Sequence, residues 1–270
     1  MKQKNILNLF LIIIVTFIFP INCRYYALIS IPKCGTHLLL RTMSLISRIN
    51  NHIGPKGWCI FDDATLNIFL RKPVLLKTHA LYIEQNIIKF RHPSIKTFFI
   101  YRDPRDQIIS AAFWVKKTVK EWPLQSTWSL EAIITELITG GGPIWGAIFS
   151  AQEIWQNLCG ITSFYDLYLP WLNEQHIYST TFEKLIGNLG GGNKDVQLQE
   201  IIAIAHHMGK KISLRDADTI SKKLFGNSMT FREGKIGSWK KHFTEEHTKA
   251  FKHIAGNLLI KLGYEQDLNW

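Results

Sequence analysis

Tyr25-Tyr-Ala-Leu-Ile-Ser-Ile-Pro-Lys-Cys-Gly-Thr-His-Leu38 changes character in its middle. Tyr25 to Ile31 is a short apolar run rich in β-formers, closed by Pro32 and Gly35. An apolar, helix-like run from Leu38 to Ile49 follows, so the predicted order is strand, turn, helix.

Outward from this unit the same grammar recurs. Pro73-Val-Leu-Leu-Lys77 ends in Thr78-His79, and Lys96-Thr-Phe-Phe-Ile-Tyr101 ends in Arg102-Asp103-Pro104. Continuous apolar runs of strand length belong to strands covered on both faces, which predicts an α/β fold with a parallel sheet between two layers of helices. A helix is predicted from Asp106 to Lys117, with Pro104 near its start, where a missing N–H costs nothing. Another runs from Ser129 to Thr139 with Glu131 in its first turn. Gly140-Gly-Gly-Pro143 reads as a loop, and helical pattern resumes over Trp145–Leu158 and Tyr165–Asn173. Ile177 to Phe182 is a fourth strand. Gly190-Gly-Gly192 opens a more polar region reaching Asn227, with a helix from Asp195 to Met208. At 270 residues, with no internal repeat or low-complexity tract, one domain is expected after the leader.

That leader occupies residues 1–23. Lys2 and Lys4 precede an almost uninterrupted apolar run from Ile6 to Ile21, the pattern of a signal peptide or a signal-anchor. The run is somewhat short for a spanning helix, yet Pro20-Ile21-Asn22 before Cys23 is not a convincing cleavage site. The expectation is a secreted or membrane-anchored protein, attached through residues 6–21 if the segment is retained, and cytoplasmic if it is a non-exporting anchor.

Lys and Arg number 32 against 21 Asp and Glu, a net charge of +11, which favours an anionic partner. No basic cluster, zinc pattern or aromatic interleaving accompanies that charge, so nucleic acid is not the expected partner. Cys23, Cys34, Cys59 and Cys159 stand too far apart for a CxxC pair, and no metal is expected.

In an open parallel sheet, ligands gather beyond the C-terminal ends of the strands, where the polar residues of this chain fall. Pro32 to Leu38 supplies a lysine, a glycine, a threonine hydroxyl and the exposed N–H groups of a helix start, a combination suited to a tetrahedral anion. The Gly-x-x-x-x-Gly-Lys-Ser/Thr pattern is absent and no acidic residue clearly offers itself to Mg²⁺, which disfavours a kinase-like enzyme.

Pro32-Lys33-Cys34-Gly35-Thr36-His37-Leu38 resembles the Pro-Lys-Ser-Gly-Thr-Thr-Trp loop of the cytosolic sulfotransferase family, which binds the 5′-phosphosulfate of 3′-phosphoadenylyl sulfate. Lys77-Thr78-His79 resembles the family's Lys-Thr-His motif. Tyr101-Arg102-Asp103-Pro104-Arg105-Asp106 with Ser110 resembles its 3′-phosphate-binding strand and helix, and Arg232-Glu-Gly-Lys-Ile-Gly-Ser-Trp-Lys240 its C-terminal loop. The resemblance runs in register from Tyr25 to about Phe251.

It implies a three-layer, P-loop-like fold and direct in-line sulfuryl transfer to a hydroxyl or amine of a small-molecule or glycan-like acceptor, with 3′-phosphoadenylyl sulfate as co-substrate and adenosine 3′,5′-bisphosphate (PAP) as product. His79 then matches the general base, Lys33 the group that neutralises the leaving nucleotide, and Lys77 and Ser110 further catalytic positions. Lys33, Cys34, Gly35, Thr36, His37 and Leu38 match the phosphosulfate loop, Arg102, Ser110 and Arg232 the 3′-phosphate clamp, and Phe182, Glu233 and Gly234 further donor contacts. Arg105 reads as structural, beside Asp103 and Asp106. Trp145, Phe149 and Trp155 resemble the acceptor-side lid.

Departures weigh against a full match. Leu38 replaces a tryptophan that stacks on adenine, Cys34 a serine, His37 a threonine, Phe182 a tyrosine and Glu233 a basic residue. Lys240, Thr244, Glu245 and Lys249 lack the apolar and acidic elements of the family's dimer motif, so that dimer is not expected. The alternative reading is a noncatalytic secreted or membrane-tethered relative that keeps the anion site.

Overall fold

A computed structural model of the chain describes residues 25–55, 59–118, 128–142, 144–145, 160–226 and 232–270. The predicted leader lies outside them, as do Phe149, Trp155, Cys159 and nearly all of the helix expected over Trp145–Leu158.

The described strands are β1 (Tyr25–Ser30), β2 (His52–Ile53), β3 (Leu75–Thr78), β4 (Ile95–Tyr101) and β5 (Ile177–Thr181). All neighbouring pairs are parallel, and the sheet order is β2-β3-β1-β4-β5. The helices are α1 (Thr36–Ser47), α2 (Asp63–Phe69), α3 (Glu84–Phe90), α4 (Pro104–Thr118), α5 (Leu130–Thr139), α6 (Ile161–Asp166), α7 (Phe182–Ile186), α8 (Lys194–His207), α9 (Leu214–Ser221) and α10 (Glu245–Lys261).

Period-two alternation divides the apolar residues of each strand between two cores. Ala27 and Ile29 of β1 and Phe99 of β4 face a core shared with Phe69, Phe90, Ile108, Ile133, Phe164 and Phe251, contributed by α2–α6 and α10. Tyr26, Leu28, Phe98 and Ile100 face the other, with Leu39, Leu185, Ile201 and Ala217 of α1, α7, α8 and α9. Sheet coverage on both sides gives the expected three-layer, P-loop-like α/β architecture. The chain leaves β1 towards β3 on one side and returns to β4 on the other, so a crevice opens where the strand order reverses.

Several boundaries differ from the expected ones for local reasons. β3 begins at Leu75 because Pro73 has no N–H to give, while the Val74 amide turns back to the Lys72 carbonyl at 2.9 Å. β5 stops at Thr181, whose hydroxyl caps α7 by accepting from the Lys184 amide, so Phe182 is a helical residue. Within the expected helix Tyr165–Asn173, Tyr165 and Asp166 instead end α6, which starts at Ile161, and Leu169–Asn173 form a separate 3₁₀ turn with proline in its first turn. The two-residue β2 and the helices α2, α3, α7, α9 and α10 are additional to the expected elements.

Candidate active site

The loop between β1 and α1 is held open by two left-handed residues, Lys33 at φ 69° and Gly35 at φ 101°. Its shape is fixed from behind. The Cys34 amide donates to the Ile31 carbonyl at 3.1 Å, and Gln107 Nε2 donates to the Pro32 carbonyl at 3.1 Å. Gly35 suits the positive φ, and a Cβ there would also be crowded, 3.0 Å from the Phe182 ring. No side chain caps the start of α1, leaving the Thr36, His37 and Leu38 amides at a helix N-terminus that attracts anions.

Not every residue matched to this loop faces outward. Cys34 is wholly buried, with Sγ 3.7 Å from the Tyr165 hydroxyl; burial pushes its thiol up to about 12. With its amide already bonded, neither its thiol nor its N–H is turned to a ligand. Leu38 is buried in the α1–α7–α8 core with Phe182 and Leu185 and offers no flat stacking surface. His37 is half-buried, and burial, followed by Lys77, His52 and Lys33, lowers its pKa.

Lys33 stands half-buried over the Trp114 ring, 5.5 Å from its centroid. Burial and the Arg102 guanidinium bring its pKa down to about 8. From the end of β3, His79 places Nδ1 2.7 Å from the Ser30 carbonyl and 3.0 Å from the Ser30 hydroxyl. A carbonyl oxygen only accepts, so Nδ1 carries the proton and Nε2 is the basic nitrogen. Burial, aided by Lys77, His37 and Lys33, depresses the imidazole to about 4 despite the Ser30 bond. Lys77, two residues earlier on β3, is partly buried and its ammonium is likewise lowered by desolvation.

Arg102 follows β4 and is buried, with Cζ 4.0 Å from the centroid of the Phe182 ring. Its Nη2 donates to the Lys235 carbonyl at 2.6 Å and lies 3.4 Å from Asp106 Oδ2. Its Nε is buried with no hydrogen-bond partner among the described residues. A guanidinium N–H in that condition calls for an acceptor, and a phosphate oxygen meets the requirement. Arg105, by contrast, is spent on structure: it binds Asp103 and Glu265 and lies between the rings of Trp239 and Trp270.

The C-terminal loop reaches the same place by a contact that local sequence does not announce. Both oxygens of the buried Asp106 carboxylate accept backbone amides, from Gly237 at 2.8 Å and from Trp239 at 2.9 Å. The Ile236 amide donates to the Gly190 carbonyl at 2.9 Å. Gly190 must be glycine, since a Cβ there would meet the Gly234 carbonyl at 2.6 Å and Ile186 closer still. Asp106, Ser110, Phe113 and Trp114 follow i, i+4, i+7, i+8 spacing and share one face of α4. That face holds the C-terminal loop through Asp106 and through Arg232 over Phe113 at 4.0 Å, and meets the β1–α1 loop through Lys33 over Trp114. Ser110 is half-buried at its middle.

Arg232 is exposed and its charge is already answered. Nη1 pairs with Glu233 Oε1 at 2.8 Å and Nη2 donates to Ser238 Oγ at 3.1 Å, which donates in turn to Glu233 Oε2 at 3.0 Å. Glu233, which replaces a basic residue of the family, therefore pairs with Arg232, one of the groups matched to the 3′-phosphate clamp. Glu233→Gln keeps the hydrogen bonds and removes the charge, and is expected to tighten PAP binding about 2- to 5-fold by titration, the range of an exposed ion pair.

Trp145, matched to the acceptor lid, is buried against Phe164 with ring centroids 4.5 Å apart and belongs to the core. Ser30 and Asp106 are the contributors that the motifs did not assign. A lone hydroxyl closing an apolar strand covered on both faces is a readable sign, because a buried hydroxyl needs a partner. Among the described residues no three His, Cys, Asp or Glu side chains gather as a metal site, and no helix is long and apolar enough to cross a membrane.

The family model described as the sulfotransferase domain matches residues 26–263. Sulfotransferase 2A6 of Rattus norvegicus is 24% identical over 239 residues, covering 84% of this chain and 81% of its own. Sulfotransferase 6B1 of Mus musculus is 24% identical over 273 residues, covering 88% and 79%. Among solved structures, mouse sulfotransferase SULT7A1 complexed with PAP superposes with a TM-score of 0.61 at 18% identity, over 88% of this chain and 85% of that one. Retinol dehydratase in complex with androsterone and inactive cofactor PAP gives 0.60 at 16% identity, over 88% and 81%. At these identities the superpositions speak for a common fold.

Proposed function

Because this chain belongs to the sulfotransferase domain family, we propose that it transfers a sulfuryl group from 3′-phosphoadenylyl sulfate to a hydroxyl or amine of a small acceptor. The observation that carries this reading is Arg102, a buried guanidinium with an unanswered Nε, set beside an anion-ready helix start and a histidine whose basic nitrogen is Nε2. The donor presents anionic groups at two separated places, and the chain offers two: the loop from Lys33 to Leu38, and Arg102 with Ser110 and Arg232.

In this reading His79 Nε2 takes the acceptor's proton as the new bond between sulfur and the acceptor oxygen or nitrogen forms. The bond between sulfur and the bridging oxygen breaks in the same in-line displacement, with no covalent enzyme intermediate. Lys33 offsets the charge left on the departing phosphate, an effect strongest where water is excluded. Neither step calls on a metal.

The pH dependence follows from the two shifts. Neutral His79 is available above about 4, and Lys33 keeps its charge below about 8. The profile of kcat/KM for the free enzyme is expected to rise near the first value and fall near the second, and Lys33→Arg to lose the alkaline fall.

A second reading, a noncatalytic nucleotide-binding relative, is favoured by two observations: Leu38 leaves no aromatic platform for adenine, and Glu233 already pairs with Arg232. Incubation with sulfur-labelled 3′-phosphoadenylyl sulfate and a panel of phenols, alcohols and amines separates the two. Label in an acceptor supports the enzyme; PAP binding with no transfer to any acceptor supports the binder.

A further inference from the structure

We infer that Ser30 is a positioning residue that joins the base His79 to the phosphosulfate loop through a hydrogen-bond relay running in one direction, from imidazole to Ser30 to Thr36. This rests on the sulfuryl-transfer reading and adds a residue that none of the family-matched motifs assigns.

The direction follows from donor and acceptor bookkeeping. His79 Nδ1 lies 2.7 Å from the Ser30 carbonyl, so it carries a hydrogen, and the same N–H meets Ser30 Oγ at 3.0 Å as a second acceptor. The Ser30 hydrogen is then directed to Thr36 Oγ1 at 2.7 Å. Thr36, having accepted, donates its own hydrogen away from the relay, at the first residue of α1, where the helix start receives an anion. Ser30 is wholly buried, so its hydroxyl is satisfied by protein partners and is out of contact with bulk water.

The relay couples the two ends of the reaction. When Nε2 gains the acceptor's proton, the imidazolium N–H becomes a stronger donor to Ser30; the polarisation passes through the Ser30 hydroxyl and makes Thr36 a stronger donor to the departing phosphate. No proton moves along the relay; it only polarises. By reciprocity, an anion accepted by Thr36 alters the state of His79. Among the charged or titratable groups that bear on His79 are Lys77, His37 and Lys33, none of which belongs to the relay.

The test compares wild type, Ser30→Ala and Ser30→Thr in kcat, acceptor KM, and the nitrogen NMR shifts of His79 with and without PAP. Ser30→Ala is expected to lower kcat about tenfold at nearly constant KM, Ser30→Thr to restore most of it, and the PAP-induced shift at His79 to be lost in Ser30→Ala alone. Unchanged kcat in Ser30→Ala, equal losses in Ala and Thr, or a PAP-induced shift that survives in Ser30→Ala overturns the relay. Should Ser30→Ala unfold, Thr36→Val breaks the other end: loss of the shift in PAP-saturated Thr36→Val supports the relay and its survival overturns it. A wild type that neither binds PAP nor transfers sulfuryl groups refutes the sulfotransferase reading instead.

Discussion

His79→Ala is expected to lower kcat by about 10²- to 10⁴-fold, the usual contribution of a positioned general base, while PAP affinity stays within about twofold of wild type. The imidazole presents Nε2 to the acceptor side because Nδ1 is committed to Ser30, so its removal deletes the proton acceptor without touching the amides of α1 or the Arg102 cluster. With its pKa depressed to about 4, the ring is neutral at physiological pH and needs no prior deprotonation. His79→Gln, which can still bond the Ser30 carbonyl but is not a base, is expected to be equally slow. Retention of even a tenth of wild-type kcat in both variants rejects the assignment.

Arg102→Ala carries the second large effect, on binding. A charge-assisted hydrogen bond contributes about 1.5–3 kcal/mol, so PAP affinity is expected to fall about 10- to 100-fold. Adenosine 5′-phosphate, which has no 3′-phosphate, is expected to lose little. Because Arg102 also donates to the Lys235 carbonyl, the variant's melting temperature must be read beside its affinity. Asp106 still holds the Gly237 and Trp239 amides in its absence, which keeps the C-terminal loop docked. An unchanged PAP titration removes Arg102 from the 3′-phosphate clamp.

The parallel sheet was legible in the chain because β1, β3 and β4 are covered on both faces and so read as unbroken apolar runs. The two residues of β2 are too few for any periodicity, and α2 and α3 are too short for a helical one. α9 and α10 were open to prediction, since Ser213 with Asp216 and Thr244 with His247 form capping boxes at their starts. The motif order placed Lys33, His79, Arg102 and Arg232 near one another in expectation; in the structure Lys33 lies within electrostatic reach of both Arg102 and His79, and Arg232 stacks on Phe113 of α4. What sequence could not carry is the long-range wiring. Asp106 beside Arg105 reads as a local ion pair, yet its carboxylate accepts amides 131 and 133 residues away. Nor does a motif tell that Cys34 and Leu38 turn inward, which depends on the packing of Tyr165 and α7 behind the loop.

We propose that the loop after β1, Arg102 and the C-terminal loop form one site for a nucleotide phosphorylated at both its 3′ and 5′ positions. Calorimetric titration of the folded chain with PAP, adenosine 5′-phosphate and ATP tests it most directly. One site is expected, with PAP bound at least about tenfold more tightly than adenosine 5′-phosphate, the share of one charge-assisted clamp, and with no gain from Mg²⁺ on ATP binding. Equal affinity for PAP and adenosine 5′-phosphate, or tighter magnesium-dependent binding of ATP, would contradict it.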